Sequence, residues 1–185
     1  MITSLMRISY PALFEPKENP SGALKYSCSL LIPKSDKNGI KELEAAIEQA
    51  KQKGKEKLWK GKIPVFRYQP LRDGDAELAT GEKEGKEYEG MMFLNCSSDN
   101  PPGVVGPDAK PLMSQDAIFA GCWVRADINP FPYSNSGNNG IGWGLNNVML
   151  VKEDERLDGR QKAEDAFAQY AATDDSTGGD EGELM

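Results

Sequence analysis

At 185 residues, 38% of them hydrophobic and with mean hydropathy −0.58, the chain suits one domain diluted by polar loops or a polar end. It contains no histidine, which removes the commonest general base, the usual partner of a nucleophilic Ser or Cys and the commonest zinc ligand. The formal charge of −7 argues against a nucleic-acid partner only until it is divided: residues 1–152 carry 19 Lys/Arg against 18 Asp/Glu, residues 153–185 carry 3 against 11. A near-neutral body is free to hold a basic groove, because net charge does not fix arrangement.

In chain order, Ile2 to Ile8 alternates as a strand, and Pro11, Pro16 and Pro20 with Asn19 and Gly22 predict a loop. Lys25 to Ile32 is a second strand, with Tyr26, Cys28, Leu30 and Ile32 on one face and Lys25, Ser27 and Ser29 on the other. Asp36 or Asn38 then caps a long helix, where Ile40, Leu43, Ile47 and Ala50 recur at helical spacing as far as Leu58. The lysines from Lys51 to Lys62 either solvate that helix and complement its dipole or contact phosphate. Lys62 to Gln69 alternates as a strand, and the charged, glycine-rich residues 72–87 predict an exposed, mobile loop. Met91 to Cys96 and Phe119 to Asn129 are further strands, the latter setting Val124, Ala126 and Ile128 against Trp123, Arg125 and Asp127. Ser134 to Gly144 reads as a polar loop and Leu145 to Val151 as the last strand. Ala163, Phe167 and Tyr170 form one face of a short helix, and the segment from Ala171 onward is too polar to offset its ordering entropy. The division expected is a domain over 1–170 and a disordered acidic tail over 171–185.

No apolar run approaches the ~20 residues that cross a bilayer, and nothing resembles a signal peptide, so a soluble cytoplasmic protein is expected. Cys28, Cys96 and Cys122 lack paired spacing and read as buried reduced thiols. Gly140-Ile141-Gly142-Trp143-Gly144 lacks both the spacing and the lysine of a phosphate cradle; its glycines let a strand or ligand approach closely. Asp73 and Asp75 flank Gly74 without the ligand series of a calcium loop, so no metal and no cofactor are expected. What remains is basic and aromatic residues interleaved on strands: Lys25, Arg67, Tyr68, Arg72, Phe93, Trp123, Arg125, Phe131 and Tyr133. Single strands are held this way, rings stacking on bases while Lys and Arg follow the backbone, and the mode tolerates any sequence. Each of these rings could instead serve the core, Phe131 and Tyr133 least, because they flank Pro132 and run into a polar loop.

Ile8-Ser9-Tyr10-Pro11-Ala12-Leu13-Phe14-Glu15-Pro16 resembles the opening motif of a bacteriophage family once catalogued as a domain of unknown function, whose members include phage single-stranded-DNA-binding proteins. Tyr26 to Lys34, Pro70 to Asp75, Gly121 to Ala126 and Gly144 to Val148 resemble further family motifs, in order, from about residue 7 to Phe167. The resemblance implies an OB-fold core, here an elaborated five-stranded β-barrel in a mainly β chain with one long helix. It also implies coating of single strands in phage replication or recombination inside the bacterial host, and no catalytic residues. An OB-fold usually sets its helix after the third strand, whereas here it follows the second clear run. The ending Asp180-Glu181-Gly182-Glu183-Leu184-Met185 is similar to the acidic, apolar-tipped tails of such proteins, which dock replication enzymes. It could alternatively compete with DNA for the basic groove or only confer solubility. A homodimer is compatible with exposed strands and the long helix.

Two other classes stand beside this one. A virion or assembly protein predicts no nucleic-acid affinity. A nuclease holding magnesium on Asp73, Asp75 or Asp127 predicts metal-dependent loss of DNA, and the sequence offers no carboxylate cluster for it.

Overall fold

The computed structural model describes residues 1–171. The tail residues Asp180, Glu181, Glu183, Leu184 and Met185 lie outside the described residues. In chain order the elements are β1 (Met6–Glu18), β2 (Leu24–Pro33), α1 (Lys37–Lys57), β3 (Arg72–Asp73), α2 (Gly74–Thr80), β4 (Met91–Ser98), β5 (Gly103–Val105), β6 (Trp123–Asn135), β7 (Asn138–Lys152) and α3 (Ala163–Phe167). The strands are ordered β3-β4-β2-β1-β6-β7-β5, and β4 also meets β7 in parallel at Ser97 and Gly144. Strands β4, β2, β1, β6 and β7 therefore form a ring, flanked by β3 and β5. Among the described residues no helix is long and apolar enough to cross a membrane.

Strand alternation fills the ring. Leu30, Leu94, Val124, Ala126, Ile128, Leu145 and Val148 share one cluster, which Leu43 and Ile47 of α1 join. Burying each such aliphatic side chain contributes about 1.5–3 kcal/mol. The three cysteines are buried and unbridged, with the Cys28 and Cys96 sulfurs 3.3 Å apart across β2 and β4. Helix α1 spans 21 residues and starts where the Asp36 side chain accepts from the Gly39 N–H at 2.9 Å. That bond, first among its causes, holds the Asp36 carboxyl below the usual carboxylate range. At the far end the chain folds back, because Gly54 leaves room for the Trp59 ring; a Cβ at Gly54 would sit 2.4 Å from Trp59 Cζ3. Trp59 then packs with Phe66, Ala50 and Ile141 as a second small cluster.

Four sequence expectations are corrected. The proline-rich stretch after Ile8 is not a loop: β1 runs through Pro11 and Pro16 to Glu18. Beyond Ile8 this strand pairs along β2 only, and both prolines fall at register shifts, where a missing N–H costs no ladder bond. Lys62 to Gln69 is irregular rather than a strand; Phe66 goes inward while Val65 is 97% exposed. Residues 72–87 are not a mobile loop but hold β3, α2 and a 3-10 turn at Lys86–Tyr88. Asp73 caps α2, accepting from Asp75 and Ala76 N–H, and Lys34 bonds both Asp73 and Asp75 at 2.7 Å. These two carboxylates thus tie α2 to the end of β2. Finally, Ser134 to Gly144 is mostly paired strand rather than a long loop, since β6 runs to Asn135 and β7 starts at Asn138. Ser136 and Gly137 both take left-handed φ, 49° and 81°, as a two-residue turn between twisted strands requires.

Candidate nucleic-acid interface

The register places outward-facing residues of neighbouring strands side by side. Leu31, Phe93 and Arg72 align across β2, β4 and β3, and Ser29 meets Asn95 in the next outward row. The row beyond runs from Ala12 through Ser27 and Ser97 to Gly144. On β7 and β6 the same face continues as the pairs Gly144–Asn129, Gly142–Phe131 and Gly140–Tyr133. One outer surface thus passes from a serine- and asparagine-rich sheet onto an aromatic hairpin arm.

The arm owes its shape to the alternation of glycine with Ile141 and Trp143. The apolar residues turn to the protein, where Trp143 Nε1 donates to the Pro70 carbonyl at 2.8 Å and Ile141 joins Trp59 and Phe66. The glycines turn outward, so the Phe131 and Tyr133 rings lie directly against backbone. A Cβ on Gly142 would be 2.7 Å from Phe131 Cζ, and one on Gly140 2.6 Å from Tyr133 Oη. Each ring has one face supported by backbone, and Phe131 remains 43% exposed. Such preorganised rings suit stacking, because little side-chain freedom remains to be lost.

At the other end, Arg72 joins three of the residues singled out in the sequence. Its guanidinium carbon lies 4.9 Å from the Phe93 ring centroid and 5.9 Å from that of Tyr68, while Arg67 lies 5.2 Å from Tyr68. Glu77 bonds Arg72 and fixes its orientation, with Nη2 to Oε2 at 2.8 Å. Tyr68 is 54% exposed and offers a ring face. Phe93 offers none: it is wholly buried under Arg72 and Tyr88, its ring 5.1 Å from the Tyr88 ring. Its place among the candidate base-stacking residues is corrected, because the 3-10 turn and α2 cover that end of β4.

Lys25 stands on the outer face of β2 in an ion pair with Asp99, which screening weakens in solution. Trp123 and Arg125 are not gathered with the arm. They precede Phe131 by eight and six residues on β6, roughly 20–26 Å along a strand. The Trp123 indole donates to Asp154 at 2.8 Å, the leading cause of that carboxyl's lowered pKa, and Lys152 lies 5.6 Å from its ring. Arg125 Nη1 donates to the Thr3 carbonyl at 3.2 Å. Both residues anchor terminal segments. Asn129 and Ser97 on the outer face were not among the sequence candidates, although Gly144, which pairs with both, lies in the visible glycine-rich run.

The model of the Enterobacter phage Enc34 single-stranded-DNA-binding protein family matches residues 1–177. The p50 protein of Acyrthosiphon pisum secondary endosymbiont phage 1 is 32% identical over 161 residues, 83% of this chain and 84% of that protein. Among solved structures, the single-stranded-DNA-binding protein of bacteriophage Enc34 in complex with single-stranded DNA is similar at TM-score 0.72 and 29% identity, over 84% of this chain and 88% of that one. The single-stranded-DNA-binding protein gp2.5 of bacteriophage T7 shares the fold at TM-score 0.61 and 14% identity, over 88% and 96% of the two chains.

Proposed function

The chain belongs to the family of the Enterobacter phage Enc34 single-stranded-DNA-binding protein, and on that premise we propose that it coats single-stranded DNA independently of sequence during phage replication or recombination. The observation that carries this reading is the outer face itself, where glycine-backed Phe131 and Tyr133 adjoin hydroxyl and amide side chains, with Arg67, Tyr68 and Arg72 at the far end. Rings accept any base, basic side chains accept phosphate, and no contact in this set requires a particular sequence. We read the ring of five strands, with its one parallel pairing, as an OB-type barrel elaborated by α1 between β2 and β4. The role is binding and protection, without a catalytic step. The single-stranded-DNA-binding relatives do not favour the virion alternative.

Fluorescence anisotropy with labelled oligonucleotides tests this reading. Unrelated single-stranded sequences should bind with similar affinity, duplex of equal length more weakly, and F131A/Y133A more weakly than the unaltered protein. Equal affinity for duplex, or an unaffected double variant, would overturn it. The acidic end, with Asp180, Glu181, Glu183, Leu184 and Met185, supports a further reading as a partner-docking segment that also competes with phosphate for the interface. Protein ending at Tyr170 should then bind single strands more tightly at low salt, and unchanged affinity would refute the competition.

A further inference from the structure

Tyr10 sits in a backbone region that non-glycine residues rarely enter, with φ of 47°, immediately before Pro11. Strain of this kind persists only where the surroundings over-determine it, and it concentrates at functional sites. The local cause is a bulge: the β1–β2 register jumps from Ser9–Ser29 to Ala12–Ser27 and pushes Tyr10 out of the ladder, 66% exposed. Of the motif from Tyr10 to Pro16, only Ala12 enters the rows of the interface described above.

The bulge borders a cleft of about 580 Å³ between β1 and the segments around Phe119 and Arg156. That volume falls within the range of small-molecule sites, roughly 300–1,000 Å³. Opposite Tyr10, the Arg156 guanidinium covers the Phe119 ring at 4.1 Å and reaches Asp158 at 3.3 Å. Its buried Nε meets no acceptor among the described residues. Glu15, Glu87, Asp116 and Asp158 border the cleft beside Lys17, Arg156 and Arg160, so its charges nearly balance and it is no cradle for a run of phosphates. A neutral, planar ring with polar edges suits the mixture. The location fits as well: Ser9 and Ala12, buried in the lining of the cleft, stand in register with Ser29 and Ser27, whose rows carry Asn95 and Ser97.

We propose that this cleft is an additional nucleobase site, holding one unstacked base of a single strand against the Tyr10 ring. The strand passes from the arm over the Ser97–Ser27 row onto β1, so Tyr10 extends the footprint beyond the aromatic arm. The proposal rests on the single-strand reading above.

The test uses full-length protein and oligothymidines of increasing length. Photocrosslinking to 5-iodouracil-substituted strands should yield a peptide containing Tyr10 once the strand outgrows the arm. Y10A should weaken binding of long strands roughly 5- to 150-fold, the range for one stacked base, while short strands bind unchanged. Y10F, which keeps the ring, should restore long-strand affinity. Crosslinks confined to Phe131 and Tyr133, with Y10A equal to the unaltered protein at every length, would overturn the site but leave the arm standing. If the unaltered protein binds no strand of any length, the single-strand reading itself falls. Crosslinking of the unaltered protein decides the matter even if Y10A folds poorly.

Discussion

Gly142→Ala probes the arm without touching a ring. The added Cβ would meet Phe131 at 2.7, 3.0 and 3.2 Å from three ring atoms, and ordinary contact begins near 3.4 Å. The ring must therefore lift by several tenths of an ångström or swing away. It is 43% exposed, so solvent accepts it and the fold should lose about 0.5 kcal/mol or less. What is lost is the position of a stacking surface worth about 1–3 kcal/mol per base. A displaced ring keeps part of that, so the expected cost is about 1 kcal/mol, roughly a fivefold rise in Kd. Anisotropy titrations of G142A, F131A and the double variant form a cycle. If Gly142 acts by supporting Phe131, the double variant binds no more weakly than F131A alone. Additive losses, or G142A binding as tightly as the unaltered protein, would refute the supported-ring account.

Tyr88→Phe should leave stability unchanged or raise it by up to about 1 kcal/mol in denaturant titrations, because the buried Tyr88 hydroxyl has no partner among the described residues. Burial is also the main reason its pKa is pushed up to about 12. The Lys34 ammonium, first among the causes for each, lowers the pKa of both Asp73 and Asp75. Their contribution to stability is therefore complete above the ordinary carboxylate pKa of about 4 and is lost as pH falls through the lowered folded values. D73N/D75N, which keeps a capping side chain at position 73, should melt below the unaltered protein near neutral pH, and the gap should narrow as pH falls below the ordinary carboxylate pKa of about 4. A gap independent of pH would contradict the Lys34 assignment.

The ring interior was legible because its signal is local: Val124, Ala126 and Ile128 alternate cleanly, and all three are buried. The start of α1 was legible for the same reason, with Asp36 as one of two cap candidates beside Asn38. What failed depended on partners distant in sequence. Pro11 and Pro16 argue against a strand only if its N–H groups are needed, and the missing second neighbour of β1 cannot be seen in the sequence. Lys62 to Gln69 alternates, yet Phe66 is spoken for by Trp59 and Ile141, so no sheet takes it up. The charged run after Arg72 looked mobile because its pairing with Lys34 spans about forty residues. Among the site residues, Phe131 and Tyr133 lie against glycines of the same hairpin, a pairing that is local in sequence. Phe93 and Trp123 were not separable from them by pattern alone, since the cover over Phe93 and the Asp154 partner of Trp123 come from other segments.

Trp59 and Trp143 are buried and Trp123 lies far along β6 from the arm, so intrinsic tryptophan emission is a poor reporter of the interface. The most direct measurement is anisotropy of a 5′-labelled oligothymidine titrated with the full-length protein at low and at moderate salt. The account predicts a saturable rise whose apparent Kd weakens as salt increases, as release of counterions from phosphate requires. A flat response at low salt from protein shown to be folded would contradict it.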